Sequence, residues 1–328
     1  PLPLIYLARW LVFRVEFGAG LIKMRGDACW RDLTCLYYHH ETQPMPNPLS
    51  WRFHHLPKAL HRIEVVGNHI AQLVVPWFLF APQPVATVAG TIIVATQSWL
   101  LLSGNFSWLN LITIVLAFSA FDDAALARLL PIAQPAVESS LPHGVAVVLV
   151  TLLLLGLSYR PAKNLLSSSQ RMNSSFDPLH LVNAYGAFGS VTKQRYEVII
   201  EGTTDPEPTD ASEWREYEFK AKPGDVRRRP TQYAPYHLRL DWLMWFAAFS
   251  SPRYHEWFMP LLAKLLEGDR AILALLDRDP FEGTPPKVIR AQLWLYRYTT
   301  PAERRSTGAW WHRTYVRPYV PPVGLPPS

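Results

Sequence analysis

Long apolar runs fill the first half of the chain, and shorter alternating or helical patterns fill the second. Residues 1–17 (PLPLIYLARWLVFRVEF) are apolar but hold Arg9, Arg14 and Glu16. This predicts the C-terminal part of a membrane span, with its charges at the interface or inside a helix bundle. Four more apolar runs follow, at 70–80, 85–102, 106–121 and 144–159. Each lies near the lower limit of about 17–20 residues needed to cross ~30 Å of hydrocarbon. Helices are the form that satisfies backbone polar groups there. APQP (81–84) and SGN (103–105) are connections of hairpin size. Four crossings return a chain to the side it left, so residues 18–64 and everything after Arg160 are expected on one face of the membrane.

Between the first span and the rest lies a polar stretch, GAGLIKMRGDACWRDLTCLYYHHETQPMPNP (18–48), which reads as a loop. SWRFHHLPKALHRIE (50–64) predicts a short amphipathic helix at the bilayer surface. After a polar linker at 160–178 the periodicity changes. Residues 191–201 and 214–219 read as an antiparallel pair joined by TTDPEPTDAS (203–212), and Lys222–Asp225 as a type II turn. Residues 238–249 predict a buried helix. A second helix is expected over 254–266, with Gly268 as C-cap, and a third over 270–276, with Asp269 as N-cap and Asp279-Pro280 as stop. Thr284-Pro285 should open a short helix, 292–298 and 309–316 read as strands, and 318–328 as an extended Pro-rich tail.

The expected fold is an α-helical multi-span membrane domain plus a C-terminal α+β domain with a small antiparallel sheet. The boundaries are 1–160 for the membrane domain (about five spans or part-spans, with the polar loop 18–64), 161–185 for a linker, 186–317 for the soluble domain and 318–328 for the tail. Composition agrees: 49% of the 328 residues are hydrophobic and 18% charged, against about 25% charged in ordinary soluble domains. The net charge of +6 includes no long basic block, and Arg227–Arg229 beside Pro230 reads as a solvated turn, so no nucleic-acid partner is expected. Two cysteines are too few for a disulfide scaffold. A chain that opens at Pro1 on apolar residues is expected to lack upstream sequence, including further spans.

The polar stretch and its echoes carry a resemblance. GAGLIKMRGDACWRDLTCLYYHHETQPMPNP resembles the signature of the lipase maturation factor family. The resemblance continues in AYGAFGSVTKQRYEVIIEGT, WREYEFKAKPGD, APYHLRLDWLMWFAAF, DPFEGTPPKVIRAQLWLYRY and WWHRTYV, in that order. It implies a multi-span membrane protein needed for dimeric lipases to fold and assemble, with the polar loop and the C-terminal domain on the extracytoplasmic side. It implies secreted, lipase-like clients and membrane lipid as partners. The expected location is the endoplasmic reticulum membrane in a eukaryote or the cell membrane in a bacterium. Ala221 and Thr231 stand where the animal pattern leads one to expect cysteines.

The candidate site residues are Lys23, Arg25, Asp27, Trp30, Arg31, Asp32, His40 and Glu41. The charges among Lys23–Asp32 are expected to pair and clamp the loop onto the C-terminal domain; the alternative is catalysis. Cys29 and Cys35 match the signature and are close enough to form a disulfide, the alternative being two buried thiols. The histidines at 39, 40, 54, 55 and 69 fit no metal-ligand spacing, so neither metal nor other cofactor is expected. TQPMPNP (42–48) is stiffened by its prolines, and its free carbonyls are expected to dock on a partner edge or on the C-terminal domain. Trp242, Trp245, Trp310 and Trp311 read as packing. No nucleophile elbow, phosphate loop or dinucleotide fingerprint appears in the sequence. Two functions compete. One is a folding and maturation factor whose client contacts are the 203–212 loop and an apolar rim. The alternative is a membrane-embedded enzyme acting on lipid or peptide, with Lys23 as base or nucleophile and Asp27 or His40 beside it.

Overall fold

A computed structural model of the chain describes residues 2–129 and 140–325. The helices of the first half are α1 (Leu2–Arg25), α2 (Ala28–Arg31), α3 (Leu36–Thr42), α4 (Ser50–His54), α5 (Lys58–Phe80), α6 (Val85–Ser103), α7 (Leu109–Ala120), α8 (Asp123–Leu129) and α9 (Leu141–Leu166). Two-residue strands β1 (Ser174–Ser175) and β2 (Asn183–Ala184) follow. The second half holds β3 (Arg195–Thr203), β4 (Arg215–Glu216), β5 (Glu218–Phe219), α10 (Arg239–Ala247), α11 (Phe258–Leu266), α12 (Arg270–Leu273), β6 (Leu276–Arg278), β7 (Val288–Tyr298), α13 (Pro301–Thr307) and β8 (Trp311–Gly324). The chain divides into two compact units. The first is Pro1–Tyr37, Leu56–Leu101 and Trp108–Val191; the second is Tyr38–His55, Leu102–Ser107 and Thr192–Ser328.

In the first unit, α5, α6 and α9 are long and apolar enough to cross a membrane. α9 leaves Leu149 and Leu152 each 62% exposed. Such an apolar surface is stable against lipid or other spans rather than water. The expected run at 106–121 is shorter than a crossing: Leu109–Ala120 is an apolar helix below span length. α5 continues from Lys58 through a π turn at Ile70–Val74 and a 3-10 turn at Val75–Phe80, so the second half of the expected surface helix at 50–64 is the start of a span. The polar loop also begins later than expected, because α1 continues through Gly18 and Gly20 to Arg25. Those glycines give close approach rather than a break: a Cβ would come within 2.7 Å of the Tyr185 carbonyl oxygen at Gly18 and of Leu73 at Gly20. Arg9 and Arg14 are buried. Arg9 donates to the carbonyls of Ser119 (2.8 Å) and Leu79 (3.0 Å). Val12 and Phe13 meet Val75, Leu79, Ala89, Ile93 and Ala117 in the core of this unit. The expected linker at 161–185 is shortened because α9 persists to Leu166 with Pro161 inside it.

The second unit is built on an antiparallel sheet of order β4-β3-β7-β8. Alternation along β3 sends Val198 and Ile200 to one face. There they pack with Met244 of α10 and Phe258, Leu262 and Leu265 of α11. Arg195, Glu197 and Ile199 point to the other face. Gly268 ends the α11 turn with φ +67°, and the Asp269 carboxylate caps α12 by accepting the Ala271 and Ile272 N–H groups. Several expectations give way. β8 extends to Gly324 along β7, so most of the expected tail is an edge strand; residues 326–328 lie outside the described residues, as does 130–139 of the loop before α9. The turn near Lys222 falls three residues later, closed by the Arg228 N–H on the Asp225 carbonyl, and Gly224 does not have the positive φ that type II requires. No helix starts at Thr284. One starts instead at Pro301, where Thr300 and Glu303 form a capping box. α10 is not buried all round, since Phe246 and Phe249 are exposed.

Candidate functional site

On a strand, residues two apart lie side by side, and this brings Arg195 and Glu197 together at the heart of the second unit. Both are almost fully buried, as is Lys222. Arg195 Nε donates to Glu197 Oε1 at 2.8 Å, and Lys222 Nζ lies 3.1 Å from Glu197 Oε2. The remaining guanidinium donors turn outward from the strand. They bond the carbonyl oxygens of Glu41 (2.9 Å), Gln43 and Pro44 (3.0 Å). A planar fork with fixed donors suits this capture of a stiff, carbonyl-lined segment, because both sides are pre-organised. The TQPMPNP segment therefore docks on the C-terminal sheet.

Its neighbours repeat the arrangement. The Glu41 carboxylate accepts the Tyr298 N–H at 2.7 Å, with His54 Nε2 3.7 Å away. Burial pushes the Glu41 carboxyl above the usual carboxylate range against the pull of that N–H. Trp51 donates its indole N–H to the Thr299 carbonyl (2.8 Å), and Trp245 donates to the Thr42 carbonyl (3.1 Å). Asn47 Oδ1 accepts the Leu49 and Ser50 N–H groups at the start of α4. His40 is buried with its ring stacked on Phe53. Trp311 stacks on Tyr298 and Arg304 lies over Trp310, so these tryptophans pack, as expected.

The SGN connection after α6 completes the unit. Asn105 is buried; its amide donates to the carbonyls of Pro46 (3.3 Å) and Thr231 (2.8 Å), and its Oδ1 accepts the N–H groups of Tyr233 (2.8 Å) and Ala234 (2.9 Å). Gln43 donates to the Ser103 carbonyl at 3.2 Å. Two separate pieces of the N-terminal half are thus hydrogen-bonded into the C-terminal domain.

The remaining expected site residues lie in the first unit and take neutral partners. Lys23 is buried; its ammonium donates to Asn68 Oδ1 (2.9 Å) and Gln72 Oε1 (2.8 Å), 4.9 Å from the Trp30 ring centroid. Trp30 donates to the Phe188 carbonyl at 2.7 Å. Arg25 bonds the Leu165 carbonyl and Gln170, and Asp27 accepts the Val191 N–H at 2.8 Å. Arg31 bonds the carbonyls of Met24 and Gly26, and Asp32 is exposed. The expected ion-pair network among Lys23, Arg25, Asp27, Arg31 and Asp32 does not form. Amide and carbonyl oxygens of Asn68, Gln72, Leu165 and Gln170 and of the end of α1 serve the cations instead. Lys23 and His40 fall in different units.

Cys29, in α2, and Cys35, just before α3, are joined in a disulfide with Cα atoms 4.8 Å apart. Closing so short a loop restrains the unfolded chain by about 2 kcal/mol. Cys29→Ser/Cys35→Ser is expected to speed hydrogen exchange in α2 about 30-fold, while α9 amides keep their wild-type rates.

Sequence reasoning missed Arg195, Glu197, Lys222 and Asn105. For the first two the signal was present: the spacing in RYEVIIE sets both on the Ile199 face. Asn105 gave none, since its partners lie far along the chain. The same domain also carries an open cleft of about 510 Å³ lined by Glu213, Glu216, Glu218, Asp225, Arg215 and Arg313. Arg313 closes on Glu216 at 2.6 Å there.

Two family models match the chain: the lipase maturation factor transmembrane domain over residues 1–128 and the lipase maturation factor C-terminal domain over 181–321. Bovine (Bos taurus) lipase maturation factor 1 is 45% identical, covering 96% of this chain and 60% of the relative. The mouse (Mus musculus) protein of that name is 46% identical, covering 97% and 59%. Human (Homo sapiens) lipase maturation factor 2 is 28% identical, covering 98% and 60%. The chain thus spans about 60% of the length of these curated relatives. No solved structure matches it.

Proposed function

The chain belongs to the lipase maturation factor family, and from that we propose that it acts as a membrane-bound maturation factor for secreted, lipase-like client proteins. The observation that carries this reading is similarity along nearly the whole chain to proteins that bear the name. The functional division is a membrane domain within the first half of the chain and a C-terminal domain over Thr192–Ser328, completed by Tyr38–His55 and Leu102–Ser107. The span pair α5–α6 separates those two added segments, an even number of crossings, and both segments are hydrogen-bonded to the C-terminal domain, which supports a single aqueous compartment for all three pieces. That compartment is extracytoplasmic, and in a eukaryote it is the lumen of the endoplasmic reticulum. The client contacts the 203–212 loop and the charged cleft beside it, where Glu213 and Arg215 reach both.

The test is rescue. In cells lacking their own maturation factors, expression of this chain with a secreted lipase is expected to restore lipase activity per mass of lipase secreted. Unchanged specific activity, with the chain present in the membrane fraction, overturns the proposal.

A further inference from the structure

Along α10 and the turn after it, Trp242, Trp245, Phe246 and Phe249 recur at helical spacing and form one aromatic stripe. Ring centroids lie 4.9 Å apart for Trp245–Phe246 and 4.6 Å for Trp245–Phe249. The inner tryptophans are part-buried, whereas Phe246 is 49% exposed and Phe249 42%. Tyr236 adds a ring that is 70% exposed, and the neighbouring Arg239 and Arg253 are exposed cations. Packing within the domain does not account for an outward row of phenylalanines.

What covers the stripe follows from where it is tied. Its central residue, Trp245, bonds the carbonyl of Thr42. The next residue, Gln43, bonds the carbonyl of Ser103, the last residue of the span Val85–Ser103. On the other side, the 233–234 backbone just before Tyr236 hangs on Asn105, two residues beyond the same span end. The end of a 19-residue apolar span sits at the edge of the hydrocarbon. Two short hydrogen-bonded links therefore tie the stripe to the end of a span, and span ends lie in the headgroup zone, where aromatic rings partition best and exposed arginines meet lipid phosphates.

We propose that this stripe is a lipid-docking face: Phe246, Phe249 and Tyr236 enter the interfacial layer of the bilayer that the chain itself spans, with Arg239 and Arg253 on headgroup phosphates. The proposal stands apart from client identity and holds whether or not rescue succeeds.

The two native cysteines are bonded to each other, so a single introduced cysteine takes a nitroxide label alone. The full chain carrying Phe246→Cys is labelled and reconstituted in phosphatidylcholine–phosphatidylserine vesicles. Exposed Ala211→Cys, in the 203–212 loop, is the aqueous reference. The spin label at 246 is expected to be about fivefold less accessible to a water-soluble nickel chelate than at 211, and about twofold more accessible to oxygen. Accessibilities equal to those at 211 overturn the proposal by placing the face in water. Exclusion of both reagents overturns it by placing protein, a second copy or another partner, on the face. Phe249→Cys, on the same stripe, serves as the second site should the first variant misfold.

Discussion

Arg195→Met is expected to loosen the second unit by about 3–5 kcal/mol, the scale for removing one partner of a buried ion pair. The loss has two parts. Glu197 is left buried with Lys222 as its remaining cation, and the carbonyls of Glu41, Gln43 and Pro44 lose their donors. Methionine fills much of the volume, so the effect reads on charge and hydrogen bonding rather than on a cavity. Hydrogen exchange in β3 should accelerate by two orders of magnitude or more, roughly the factor that 3 kcal/mol sets. Protease cleavage within Tyr38–His55 should appear in the variant and not in the wild type. Arg195→Lys is not a rescue: one ammonium cannot reproduce a fork that serves a carboxylate and three carbonyls together. Wild-type exchange rates in Arg195→Met would remove this residue from the centre of the unit.

Asn105→Ala is the second large effect, about 2–4 kcal/mol. It strands two buried N–H groups, at Tyr233 and Ala234, and two carbonyls, at Pro46 and Thr231. Asn105→Asp keeps the acceptor but sets a second carboxylate oxygen against the Pro46 and Thr231 carbonyls in a buried site, so it should be no milder than alanine. The measurement is exchange at residues 231–236 together with protease sensitivity of the same loop. Equal protection in all three proteins would show that this side chain holds nothing.

How much of this was legible in the chain depends on the range of the interaction. The apolar runs at 85–102 and 144–159 became spans because hydropathy over a window needs no tertiary knowledge. The alternation in RYEVIIE and the Asp269 and Gly268 caps were local and came through. The capping box at Thr300 was equally local and was passed over. Pairing charge with charge in 23–32 failed because nearby carbonyl and amide oxygens served the cations at lower desolvation cost. The loop is expected from residue 18, whereas α1 continues to Arg25 because the glycines at 18 and 20 serve close helix contact. Phe246 and Phe249 misled in the opposite direction: an aromatic-rich helix reads as core, although a membrane interface recruits the same side chains. The docking of TQPMPNP was foreseeable as a tendency, but Arg195, some 150 residues away, could not be named as its receiver.

The six residues Leu102–Ser107 arrive between spans, long before the sheet they join has been synthesised. A ribosome releasing the C-terminal domain thus finishes a body whose other parts have already been threaded through the bilayer. An inverted hairpin α5–α6 would carry Asn105 to the wrong side, leaving the 231–234 backbone unbound and the late domain incomplete. On the proposed topology, the last domain can close only after the first helices have been threaded so that Asn105 and Gln43 lie on its side of the bilayer.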